Sequence, residues 1–131
     1  MYSRHYKGLK SKLKSIEYFI DNGYEVFDAI SEYSYCDLVL IKNDICYRVS
    51  VKSTSQLSRG KNNYIVELRN VSRRNNGKIC VTKFQSNRYD LVVVYIIPEN
   101  RIQLIESKDI KVGQNILWIS ANLKSKQQKG K

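Results

Sequence analysis

The sequence predicts an α/β or α+β domain in which one N-terminal helix packs on a mixed sheet. Three observations carry this. Helical spacing occurs once, before Gly23; the chain beyond it is built of short apolar runs separated by turn residues; and one late run is apolar almost throughout, as a strand covered on both faces must be. The 131 residues fit a single domain, expected over residues 1–123, followed by a basic tail at 124–131.

The helix is expected from about Ser3 to Asn22, with Leu9, Leu13, Ile16 and Ile20 forming the face that meets the core. Lys7, Lys10 and Lys14 lie on another face and should turn a positive stripe to solvent. Next, "YEVFDAI" is a short strand leading into "CDLVLIKNDICYRVSVKSTSQ", a hairpin from Cys36 to Gln56 with its turn at Lys42-Asn43-Asp44. In the second strand of that hairpin Val49 and Val51 alternate with Ser50 and Lys52, so Ser50 and Lys52 share a face.

A polar loop, Ser53 to Asn63, follows. "YIVELRNV" and "KICVTKF" read as strands around the basic turn "SRRNNGK". "YDLVVVYII" suits the central strand, and Pro98-Glu99-Asn100 turns it into "RIQLIES", an exposed or edge strand. "KDIKVGQNILWIS" adds a short helix or strand, and "KSKQQKGK" has no apolar residue and is expected to form a basic arm. With so few helices to cover the sheet, self-association could cover the remainder.

Charge bounds the partner. Lysine and arginine number 23 against 12 acids, a formal net of +11, which favours a polyanion. No apolar run is long enough for a transmembrane helix, and "MYSRHYKGLK" lacks the apolar stretch of a secretory signal. Cys36, Cys46 and Cys80 are an odd count without CxxC spacing, so buried free thiols in a reducing cytoplasm are expected. His5, the single histidine, leaves little basis for a zinc centre.

Asp37 opens the hairpin's first strand and Lys52 closes its second. Two roles compete: an ion pair at the rim of a sheet, or half of a metal-dependent active site. Phosphodiester hydrolysis needs a divalent cation at the phosphate, an activated water, and positive charge for the transition state. Mg²⁺ takes hard oxygen ligands, and a strand-opening aspartate beside a strand carrying a lysine can supply part of that set.

At these residues the chain resembles the PD-(D/E)XK nuclease superfamily, and within it the group I intron homing endonucleases. The resemblance runs through "KGLKSK", "NGYEVF", "SEYSYCDLVL", "YRVSVKST" and "YDLVVVYIIPENRIQLI". It implies an α/β, restriction-endonuclease-like core. It implies that Asp37 is the metal-ligating acid, that Val51 lends its carbonyl to the metal, that Lys52 is the catalytic lysine, and that Glu32 lies near the site. Ser50 stands where relatives carry glutamate or glutamine, and Lys12 where their helix carries glutamate; Glu17 lies on the wrong side of the helix to replace it.

The function expected is a DNA-binding, metal-dependent endodeoxyribonuclease of homing type, using Mg²⁺ with Mn²⁺ as a substitute, on double-stranded DNA. Lys7, Lys10, Lys14, Arg59, Lys61, Arg73, Arg74 and Lys78 are the candidate phosphate contacts. A homo-oligomer (dimer or tetramer) is expected, with a hetero-complex as an option. The alternatives are an endonuclease fold that binds DNA without cutting it, and a basic RNA-binding protein.

Overall fold

The computed structural model describes residues 4–31, 34–73 and 77–121. Helix α1 (Arg4–Asp21) ends as the sequence predicts. Gly23, at a φ of 85°, lets the Gly23 and Tyr24 N–H groups turn back to the carbonyls of Ile20 and Phe19 at 3.1 and 3.0 Å, closing the last turn. His5 lies within this helix.

The main sheet contains β1 (Glu25–Asp28), β2 (Leu38–Lys42), β3 (Ile45–Thr54), β7 (Leu91–Ile96) and β8 (Arg101–Glu106), in the order β1-β2-β3-β7-β8. Only β3 and β7 run parallel; the other neighbours are antiparallel. Asn43 and Asp44, at φ values of 54° and 65°, make the tight β2–β3 turn, whose positive φ suits the twist of a hairpin. Strand β4 (Asn63–Glu67) pairs with β9 (Ile116–Ser120), and β5 (Asn70–Arg73) pairs with β6 (Ile79–Thr82). As expected, β7 is buried along its whole length and β8 is an edge strand.

Both faces of the main sheet are covered. Phe19 of α1 packs on Leu38, Leu40, Val49, Leu91 and Val93 on one face. On the other, Tyr64 and Val66 of β4 and Leu117 and Ile119 of β9 pack on Val92, Val94 and Ile96. This second layer of strands supplies cover that the sequence left to self-association.

Three expectations are corrected. First, the buried face of α1 is Ser11, Ser15 and Phe19, while Leu9, Leu13 and Ile20 are about half exposed. The serine hydroxyls donate to the Lys7 and Ser11 carbonyls, each at 2.7 Å, so they need no water and can be buried. Counting serine as polar hid the packing face. Second, "YIVELRNV" is two strands. Leu68 is fully buried and its N–H bonds the Asn115 carbonyl at 2.9 Å, while Arg69 folds back on Glu67, so pairing passes from β9 to β6 at this point. Third, the three cysteines are free but none is fully buried: Cys46 is exposed near the hairpin turn, and Cys36 and Cys80 are half-buried. Among the described residues no helix is long and apolar enough to cross a membrane.

Candidate active site

Strand β3 changes partners in mid-course. Ile45 to Val49 pair with β2, and Val49 to Thr54 pair with β7 on the opposite edge, so Val49 alone faces both neighbours. Each change of partner leaves a β3 amide in need of an acceptor. The tripeptide Asp-Leu-Val supplies it twice. Asp37 precedes β2 and its Oδ2 accepts the Val51 N–H at 2.7 Å; Asp90 precedes β7 and its Oδ2 accepts the Arg48 N–H at 2.8 Å.

The two aspartates share a local structure and differ in electrostatics. Asp90 is bridged by the Arg48 guanidinium, whose Nε lies 3.2 Å from Oδ2, and this hydrogen bond holds its carboxyl below the usual aspartate range. Asp37 has no such partner. Burial raises its pKa, against the opposing pull of the Val51 N–H and of Lys52 and Lys12 farther off. Asp90 is a structural clasp. Asp37 is a half-buried carboxylate with charge left to neutralise.

Lys52 shares the face of Ser50, opposite the helix. Leu38, next to Asp37, is on the helix face opposite Val49, so alternation puts Asp37 on the same side as Ser50. Ser50 is buried at the base of this face. Lys52 Nζ donates to Asn70 Oδ1 at 2.9 Å. Burial lowers the lysine's pKa, countered by the charges of Asp37 and then Glu67. Among the ion pairs of the described residues Asp37–Lys52 does not occur, so a rim salt bridge does not account for the two residues.

Val51 and Lys52 open into a cleft of about 710 Å³ whose walls include Lys7, Gln56, Glu67, Arg69 and Asn70. Asp37 stands beside the cleft, joined to it through the Val51 N–H. Glu67 and Arg69 form a forked pair at 2.7 and 3.1 Å, and that hydrogen bonding lowers the Glu67 pKa. Sequence reasoning missed Glu67, Arg69 and Asn70. Their only signal was the crowding of polar residues after Val66; no local pattern reveals that this segment returns beside Lys52.

The segment before Asp37 is anchored from afar: Tyr89 donates to the Tyr35 carbonyl at 2.9 Å. On the helix side, Lys12 is ion-paired with Asp28. The site therefore has an ammonium where the resemblance leads one to expect a carboxylate.

The structure brings together Asp37, Ser50, Val51 and Lys52, with Lys7 on the cleft wall. The remaining candidates are dispersed. Lys10 and Lys14 are half-buried, Arg59 and Lys61 are exposed between β3 and β4, and Lys78 is exposed beside β6. Arg73 belongs to β5 by its backbone, while Glu32, Arg74 and the 124–131 tail lie outside the described residues. No group of three or more potential metal-ligating acids, histidines or cysteines occurs among the described residues.

Comparison with known proteins bears on this geometry. The model of the PD-(D/E)XK endonuclease family matches residues 2–130. The solved structure of a bacterial homing endonuclease, I-Ssp6803I, superposes with a TM-score of 0.76 at 19% identity, covering 92% of this chain and 80% of that one. At that identity the likeness is one of fold. A search of curated protein sequences gave no match. An aspartate ahead of β2, a lysine on the neighbouring strand β3, and a family match over nearly the whole chain lead to one assignment: the chain belongs to the PD-(D/E)XK endonuclease family.

Proposed function

We propose that the protein is a divalent-metal-dependent endonuclease of homing type, acting on double-stranded DNA. The observation that carries this reading is the contrast between the two Asp-Leu-Val strand starts. One carboxylate is neutralised by Arg48, and the other, Asp37, is left half-buried beside a lysine that faces a basic-walled cleft.

The residues fit a hard cation of the Mg²⁺ kind. A carboxylate whose burial raises its pKa is stabilised by a nearby cation, and Mg²⁺ keeps several waters, so one protein carboxylate with phosphate oxygens can suffice. Asp37 and the Val51 carbonyl would hold it; Mn²⁺ is a substitute with the same preference for oxygen. When bound, the metal polarises the phosphate and lowers the pKa of a water. The chain does the rest. Asn70 fixes the Lys52 ammonium, which stabilises charge developing on the phosphate and orients the attacking water. Lys7 and Arg69 supply positive charge along the cleft wall for flanking phosphates. Two or four copies would extend the contacts on a long duplex site.

Asp37→Asn and Lys52→Met test the proposal. Each should abolish Mg²⁺-dependent nicking of duplex DNA while leaving the thermal transition and DNA affinity in place. Normal cleavage by either variant would remove the hairpin from the chemistry. The Lys12–Asp28 pair favours a second reading, a DNA-binding relative that no longer cuts. Wild type that binds duplex DNA but nicks nothing with Mg²⁺ or Mn²⁺, its natural target included, would establish that reading. Preference for structured RNA over duplex in competition would favour the RNA-binding alternative.

A further inference from the structure

Asp37 brings a single negative charge to a cleft whose chemistry calls for a doubly charged cation with oxygen ligands. A second carboxylate is close at hand. Glu67 is the one acid among the described residues that line the Lys52 cleft. Asp28, Asp90, Glu99 and Glu106 are ion-paired with Lys12, Arg48, Arg101 and Lys108, and none of them lines it.

The backbone fixes where this carboxylate stands. Glu67 closes β4, and the next residue, Leu68, is fully buried with its N–H on the Asn115 carbonyl. Asn70, three residues on, accepts the hydrogen bond of Lys52 Nζ. The segment is thus pinned on both sides, and the charge of Glu67 acts on Lys52 as that of Asp37 does. Glu67 Oε1 accepts the Arg69 backbone N–H at 3.0 Å and Arg69 Nε at 2.7 Å, while Oε2 accepts Nη2 at 3.1 Å. Departure of the guanidinium would leave the backbone bond intact and uncover Oε2.

A phosphate can draw the guanidinium away. Both side chains are exposed, so the pair is weak, and a guanidinium grips phosphate with the same fork. Arg69 can offer Nε and Nη2 to a phosphate in the cleft only by giving up Glu67. A carboxylate left beside phosphates is repelled by them unless a cation lies between.

We infer that Glu67 is the second carboxylate of the active site, capped by Arg69 in the free protein and uncovered when a DNA phosphate takes that guanidinium. Cation and duplex then favour each other's binding, because each supplies what the other needs in the cleft. The inference rests on the nuclease reading of this cleft and deepens it.

Its first test needs no cleavage. The full chain is melted without DNA over a series of MgCl₂ concentrations. Arg69→Gln uncovers Glu67 and should enlarge the magnesium-induced rise in melting temperature over that of wild type. Adding Glu67→Gln to it should cancel the gain. Arg59→Gln removes the same charge outside the cleft and should produce none. A response to Arg69→Gln no larger than that to Arg59→Gln, or one that survives Glu67→Gln, overturns the inference. Nicking of duplex DNA is the second test. Glu67→Gln should lose about 10–100-fold in rate while affinity holds. Normal cleavage by this variant also overturns the inference. Wild type that nicks nothing overturns the nuclease reading instead, and the melting series still decides whether Glu67 holds a cation.

Discussion

Lys12, on α1, is ion-paired with Asp28, the last residue of β1, and both lie near enough to Asp37 to act on its ionisation. The helix thus already delivers a charged side chain to the margin of the candidate site, with the sign of the charge reversed relative to the expected glutamate. Lys12→Glu should gather three carboxylates around one point and create a demand for a cation. Its melting temperature in EDTA should fall below that of wild type, and added MgCl₂ should raise it by more than in wild type, since a ligand that binds only the folded state stabilises it. Lys14→Glu is the control. An equal magnesium response in both variants would mean that the helix does not address the site.

Asn70 orients Lys52 through a single hydrogen bond of 2.9 Å. Asn70→Ala should leave the ammonium in the cleft but free to rotate. The expected result is a loss of about 10–100-fold in cleavage rate, the range for removing a partner that orients a site residue. DNA affinity should change little. Steady-state nicking and equilibrium binding on the same duplex separate the two effects, and a parallel loss of both would assign Asn70 to binding.

Asp90 offers a pH test away from the site. Its hydrogen bond from Arg48 lowers its folded pKa from the ordinary value of 3.8. A depressed carboxyl adds stability above the ordinary value and loses it as pH falls through the folded value. Asp90→Asn should therefore lower the urea midpoint at pH 7, and the gap from wild type should narrow below about pH 4. Urea titrations at several pH values measure it; a gap that widens in acid would contradict the assigned clasp.

Binding to duplex DNA should be dominated by phosphate contacts, as a net charge of +11 requires. The logarithm of affinity should fall linearly with the logarithm of salt, with a slope of about −0.9 per phosphate neutralised. Lys7→Gln, at the cleft, should make that slope shallower by about one. A flat salt response would exclude this mode of binding.

The strand pattern was legible wherever alternation or continuous apolarity sets it. The β2–β3 hairpin, its turn and buried β7 follow from residue types alone, and so does the common face of Ser50 and Lys52. The helix existed where periodicity put it, but its orientation did not. Local spacing detects an apolar stripe without stating what covers it, and the buried serines satisfy themselves through backbone bonds that a polarity scale does not see. The opposite wall of the cleft was illegible for another reason. Glu67, Arg69 and Asn70 come to the cleft of Lys52 by a tertiary return of the chain at the end of β4, and a sequence read locally has no term for that.

Ser11 and Ser15 make the helix a spacer of fixed thickness. Their small side chains set how near α1 lies to the sheet, and hence how far Lys12 extends toward Asp28 and Asp37. A methyl or two added at either serine would lift the helix and alter that reach without changing any residue of the site. Drift at these two positions is thus a route by which the lineage could retune the charge around Asp37 while the chemical groups themselves stay the same.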